Sequence, residues 1–377
     1  MNSHSALLPG MVEWTLLQNN QDKISSSFGC GYLFLDVCGF TKLTEKVSSK
    51  GHYGVEIITN LLNQYFDLLN DKIISYGGQI LKFEGDAVLA AFPQSEAVCM
   101  PKMQNCMHEF KAALDELNTS LESEYGSSLA YHGGIGYGQS QMIILGCPEI
   151  HYDYFVYSSV MSELYQLCEH AGHNETLAVE ALANQPDDLN LMPCSLVSIP
   201  QTAALEYDKA FFPPEILTRG RSETFSGELR NSAILFIGVE AEQFIRSGRY
   251  DLVNHYYCAI QHIVTRLEGM VNKIDYTDKG MIMLLSFGIL NTHVDDIERA
   301  ILCANQINRI ESPLKAKIGL TYSNLYAGVL GAKARHEYGI IGNGVNVAAR
   351  LMTSAEYGQI VFTKDILGSV ESRFEVR

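Results

Sequence analysis

The sequence predicts an α+β fold made of two repeated units. Three observations carry this: paired apolar runs that read as hairpins, helical stripes between them, and a similar order of elements returning after residue 228. Gly31 to Phe40 reads as a strand entering a small turn, with Gly39 allowing close backbone approach. Val55, Ile58, Leu61, Leu62, Tyr65, Phe66, Leu69 and Ile73 then recur at helical spacing, and Gly77-Gly78 closes that helix. Ile80–Phe83 and Ala87–Phe92 flank Glu84-Gly85-Asp86 as a hairpin with Asp86 at or next to its turn. A helix follows over 95–120, and Ile135–Leu145 reads as a further strand pair. In the second unit Ser232–Val239 is a strand, and Leu252, Tyr256, Ile260, Ile263 and Leu267 mark a helix. Residues 271–287 form a hairpin, followed by a helix near 295–308 and a strand at Ala316–Tyr322. Aligning the halves pairs Lys82 with Lys273 and Tyr154 with Tyr338. The expected boundaries are an N-terminal extension over 1–28, a first domain over 29–198, a linker over 199–228 and a second domain over 229–377. Pro200, Pro213, Pro214, Gly220 and Gly227 break the periodicity of the linker.

Bulk properties narrow the function classes. A net charge of −16 over 377 residues argues against general nucleic-acid binding, which needs a basic face. It leaves nucleotide chemistry open, because bound metals supply local positive charge. Nine scattered cysteines with no C-x-x-C pair point to reduced thiols. The start has no basic region followed by an apolar one, and no apolar run is long enough to span a bilayer. The expectation is a cytoplasmic protein without a membrane span.

Three constellations carry chemistry. Asp36, in LFLDVCGF, and Asp86, in LKFEGDAVLAAF, each sit at the edge of an apolar run. A single Asp after a strand serves equally as a turn or helix cap. Two in one unit also suit a pair of divalent cations, which take carboxylates plus substrate phosphate oxygens. The backbone N–H groups from Val37 through Cys38, Gly39 and Phe40 to Thr41 would then cradle phosphates. Asn346 and Arg350, in IIGNGVNVAARLM, share one helix face, where arginine suits a phosphate oxygen and asparagine can position a hydroxyl. The pair also reads as a cap plus a solvated arginine. Lys273 is either a surface lysine on a hairpin or a donor to N1 of adenine.

Together these segments resemble the class III nucleotidyl cyclase family, and within it the soluble, bicarbonate-responsive adenylyl cyclases with two cyclase domains in one chain. FLDVCGFTKLTEK and ILKFEGDAVLA are similar to the two metal motifs, VNKIDYTDKG to the base-recognition hairpin, and ARHEYGIIGNGVNVAARLM to the transition-state helix. The resemblance implies two ferredoxin-like cyclase domains paired pseudosymmetrically within the chain, with ATP converted to cyclic AMP at their interface. Asp36, Val37 and Asp86 would hold two Mg²⁺ or Mn²⁺ ions. Lys273 and Gly339 would face the base, and Asn346 and Arg350 would act on the transition state. Gly238 replaces Asp36 in the second half, and Ser162 and Gln166 replace Asn346 and Arg350 in the first, so one competent site is expected.

Some positions depart from the family pattern. Gly339 stands where the soluble enzymes have a threonine, and Gly134 falls near a triphosphate-binding lysine. Lys82 matches one residue of the bicarbonate pocket, but Tyr165 replaces its arginine, so weak or absent bicarbonate activation is expected. The chain also stops at Arg377, before the last strands expected of the second domain, as a fragment or shortened form would. A catalytically weak homologue acting as a regulatory or scaffold module, and a guanylyl cyclase, are the competing readings. A cilium or flagellum as host rests on family analogy alone.

Overall fold

The computed structural model describes residues 7–18, 25–39, 52–179, 209–213, 215–217 and 227–370. Strand β1 (Ser25–Cys38) lies at the centre of the first sheet. Around it are β2 (Gln79–Glu84), β3 (Ala87–Phe92), β4 (Ala130–Cys147) and β5 (His151–Ser158), in the order β2-β3-β1-β4-β5. A short β6 (Glu175–Ala178) runs parallel beside β4. The second sheet repeats this plan with β7 (Gly227–Val239), β8 (Met270–Thr277), β9 (Gly280–Phe287), β10 (Ala316–Ala332) and β11 (Arg335–Ile341). Its order is β8-β9-β7-β10-β11, with β12 (Ile360–Phe362) parallel beside β10.

Helices cover both faces of the first sheet. Helix α1 (Gly10–Gln18) and α4 (Met161–His170) pack on Phe28, Tyr32 and Phe34, while α2 (His52–Ser75) and α3 (Glu96–Tyr125) pack on Leu33, Leu35 and Phe92. A sheet covered on both faces needs continuous rather than alternating apolar strands, and β3 is buried at every position. The second half carries α5 (Glu242–Arg246), α6 (Tyr250–Arg266), α7 (Asp296–Asn308) and α8 (Asn343–Ser354).

Several expectations change in detail. The strand pair read over Ile135–Leu145 is one long strand, β4, whose partner β5 follows at His151. Its glycines are packing positions: a Cβ on Gly134 would lie 2.5 Å from the Leu164 carbonyl of α4. Strand β10 likewise runs well past Tyr322. Residues 7–12 are not peripheral, since Leu8, Met11 and Val12 are buried against the first sheet. Strand β1 also begins at Ser25, ahead of the expected domain start. Within 199–228, Phe211 packs on Tyr152 and Tyr154, and Ile216 joins the core of the second half.

Strand register exposes the repeat. Lys82 faces Leu89, which faces Phe34; Lys273 faces Leu284, which faces Phe236. Two residues further along each central strand, Asp36 and Gly238 are therefore equivalent. Both hairpins shift register at the same place, between Ile80 and Lys82 and between Val271 and Lys273. The halves also hold each other reciprocally. Asn63 of α2 accepts from Gly331 N–H at 3.3 Å, and its counterpart Asn254 of α6 accepts from Gly146 N–H at 2.8 Å. Matched contacts of this kind are the mark of a head-to-tail two-fold arrangement.

Gly319 is the equivalent of Gly134, and α8 crosses it even more closely. A Cβ there would lie 2.0 Å from Ala348 O and 2.5 Å from Met352 N, both backbone atoms that cannot rotate away. Gly319→Ala is expected to lose about 3 kcal/mol of stability or more in denaturant unfolding, through overpacking.

Candidate active site

Asp36 lies near the end of β1, half-buried and opposite His132 of β4. Val37 and Cys38 complete the strand, and Gly39 turns it with φ +89°. A Cβ at Gly39 would also lie 2.6 Å from Ser128 O, so the turn requires glycine twice over. Phe40 and Thr41, expected to extend the phosphate cradle, lie outside the described residues. Asp86 follows Gly85, φ +74°, in the two-residue turn of the β2–β3 hairpin.

The two carboxylates sense each other. Burial raises the Asp86 carboxyl to about 6, and the Asp36 charge adds to the rise. Burial likewise raises Asp36, while His132 pulls it down. Two half-buried hard oxygen donors in mutual repulsion fit divalent magnesium or manganese. Carboxyls raised in the folded state favour the metal-free protein at acid pH, and that contribution is lost as pH rises through about 6. The expected result is that Mn²⁺ raises the melting temperature more at pH 7.5 than at pH 5. Equal shifts at both pH values would show that the ion displaces no proton from this pair.

Lys273 extends from β8 across the interface to the first half. Its Nζ donates to Phe83 O at 3.1 Å and pairs with Asp275 at 3.2 Å. Beside it opens a cleft of about 400 Å³, open mouth included, lined from the first half by Phe83 and Gly85. The second half contributes Asn272, Lys273, Glu337, Tyr338 and Gly339. Gly85 connects this cleft by one peptide bond to Asp86. Asn272 is the extra residue of the β8 bulge, which lets it line the cleft together with its neighbour Lys273. Its amide donates to Met270 Sδ at 3.6 Å, leaving buried Oδ1 with no hydrogen-bond partner among the described residues. Sequence reading missed Asn272, because in an unbroken strand it would point away from Lys273. Only the register shift reveals it. Glu84 also escaped notice; burial raises its carboxyl, Lys273 opposes that rise, and Tyr165 donates to it at 2.8 Å.

Asn346 and Arg350 sit on the exposed side of α8, and no hydrogen bond or ion pair joins the side chain of either to another described residue. The first-half helix α4 presents Ser162 and Gln166 at the equivalent positions, fixed by the matched approaches of Gly134 to Leu164 and Gly319 to Ala348. The mirror-image region is filled. Lys82 pairs with Asp153 at 3.4 Å and lies over the Tyr154 ring, while Tyr165 packs at a tilt of 50° against Phe34 with ring centroids 4.3 Å apart. Arg335 crosses to this side and donates to Leu81 O at 2.9 Å.

Residues 254–377 match the adenylate and guanylate cyclase catalytic domain family. Human adenylate cyclase type 10 is similar, with 24% identity over 85% of this chain and 23% of its own length. The mouse protein of that name gives the same figures. The chain thus spans about a quarter of the length of these relatives. A solved class III adenylyl cyclase-like ATP-binding protein from Pseudomonas aeruginosa is similar in fold over 92% of this chain and 85% of its own. The TM-score is 0.60 at 11% identity. Among the described residues, no helix is long and apolar enough to cross a membrane.

Proposed function

We propose that this chain is an adenylyl cyclase with one active site, composed of the Asp36/Asp86 half and the Lys273/Asn346/Arg350 half. The observation that carries the reading is the cleft between the halves. Its floor joins Gly85, next to Asp86, with Lys273 and Gly339. Asp36 and Asp86, with the Val37 backbone beside them, are the residues that hold Mg²⁺ or Mn²⁺. When bound, such ions neutralise phosphate charge and promote attack by a hydroxyl. The backbone after Val37 binds the phosphate chain. Asn346 orients the ribose so that its 3′-hydroxyl faces the α-phosphorus, and Arg350 stabilises the charge that develops there as pyrophosphate leaves.

Base choice follows from hydrogen-bond type. An ammonium at Lys273 donates, matching N1 of adenine, and the free Asn272 Oδ1 accepts, matching the adenine amino group. Guanine offers a donor and an acceptor in the reverse places. Gly339 adds no side chain to contradict this pair. The expected kcat/KM ratio favours ATP over GTP, and Lys273→Ala lowers the ATP value by about 10- to 100-fold, in line with one charged hydrogen bond. Comparing initial rates with the two nucleotides tests this; a GTP preference in the parent protein would mark a guanylyl cyclase instead.

Lys82 is paired with Asp153, Arg335 with Glu337, and Tyr165 donates to Glu84, so among the described residues the mirror region presents no unpaired cation for a small anion. Rates are therefore expected to be independent of bicarbonate at fixed pH.

A further inference from the structure

Beside Asp36, but made of different atoms, Cys38, His132 and His173 converge so that one donor atom of each lies within 4.8 Å of the others. Their placement follows from the sheet. Cys38 lies two residues after Asp36 on the same strand, and His132 directly faces Asp36, so all three share one face. His173 sits in the turn between α4 and β6. That turn is tied to β4 by Asn174, whose N–H donates to Tyr131 O at 2.8 Å and whose Oδ1 accepts from Tyr131 N–H at 3.2 Å. Asn174 holds a left-handed φ of 55° in doing so.

His132 supplies the independent observation. Its Nδ1 lies 2.5 Å from the Ala171 carbonyl, which can only accept, so Nδ1 carries the proton and Nε2 presents a lone pair. An imidazole held by a backbone carbonyl in this way is the usual arrangement of a metal-ligating histidine. Thiolate and imidazole select zinc-like cations, whereas Asp36 and Asp86 offer hard oxygens suited to magnesium. A tetrahedral zinc with bonds of about 2.0–2.3 Å places its ligand atoms about 3.5 Å apart. His173 is exposed, so its ring is free to turn toward the other two donors.

We propose that Cys38, His132 and His173 form a site for Zn²⁺ separate from the carboxylate pair, and that its occupation inhibits the cyclase centre. The inhibitory part rests on the cyclase reading; the binding part does not. Zinc there ties the start of the phosphate cradle to the α4–β6 turn. It also places a second positive charge beside Asp36, which disfavours the catalytic cation.

The test is titration of the purified chain with Co²⁺, and with Zn²⁺ in competition against a chelating dye, at saturating Mg²⁺ to occupy the carboxylates. One bound equivalent with a thiolate-to-cobalt absorption band is expected. Cys38→Ser should lose the band, and His173→Ala should weaken zinc by about 10-fold or more. His173→Ala should keep the Mg²⁺-supported rate while its zinc inhibition weakens by the same factor. Melting curves check that both variants are folded. Full-affinity binding by both variants, or no cobalt band at millimolar metal, would overturn the site. Zinc binding without cyclic nucleotide formation under any condition would leave the site standing and sink the cyclase reading; turnover without zinc binding does the reverse.

Discussion

Asp36→Asn is expected to reduce cyclic AMP formation by about 1,000-fold or more, because the loss of metal assistance is worth several kcal/mol of barrier. The same change should leave the metal-free protein at least as stable as the parent at pH 7.5. Asp36 is half-buried and raises the neighbouring Asp86, so its charge costs stability when no cation is present. Activity and stability therefore move in opposite directions, as expected where a site is held under electrostatic strain. A steady-state assay paired with metal-free melting curves reads both. A variant that loses activity only because it has lost stability would contradict the assignment.

Arg350→Ala is the second large effect. Arg350 projects from the exposed side of α8 with no described partner, so its removal should change stability by less than about 0.5 kcal/mol. Its proposed work is confined to charge that builds on the α-phosphoryl group. The expected loss is therefore about 100- to 1,000-fold in kcat, with KM changed little. Arg350→Lys keeps the charge but not the planar fork, and should recover only part of the rate. A pure KM effect would make Arg350 a ground-state contact and remove it from the transition state.

Much of this was legible in the chain because hairpins and helical stripes are local signals. The FEGD turn and both hairpins follow from short apolar runs broken by glycine. The equivalence of Asp36 with Gly238, read by aligning motifs, is reproduced by strand register. What escaped was non-local. The Gly-rich start of β4 lay outside the strand pair read over Ile135–Leu145, yet Gly134 is where α4 crosses the strand. Asn272 enters the cleft only because of a bulge, and a bulge leaves no mark in the alternation of side chains. Tyr165 could be seen to replace an arginine, but only the fold shows it donating to Glu84. Residues 7–12 read as an extension because their partners lie far along the chain: Met11 N–H donates to Gln79 at 3.0 Å.

The central claim is a single active site divided between two halves that are equivalent in fold and unequal in chemistry. Its most direct measurement is product analysis of the purified chain with ATP and Mn²⁺, beside Asp36→Asn and Arg350→Ala. The predicted result is cyclic AMP and pyrophosphate in equal amounts from the parent, with either substitution alone removing nearly all of both. ATP bound by the parent protein with no cyclic nucleotide formed, from ATP or from GTP, would contradict it.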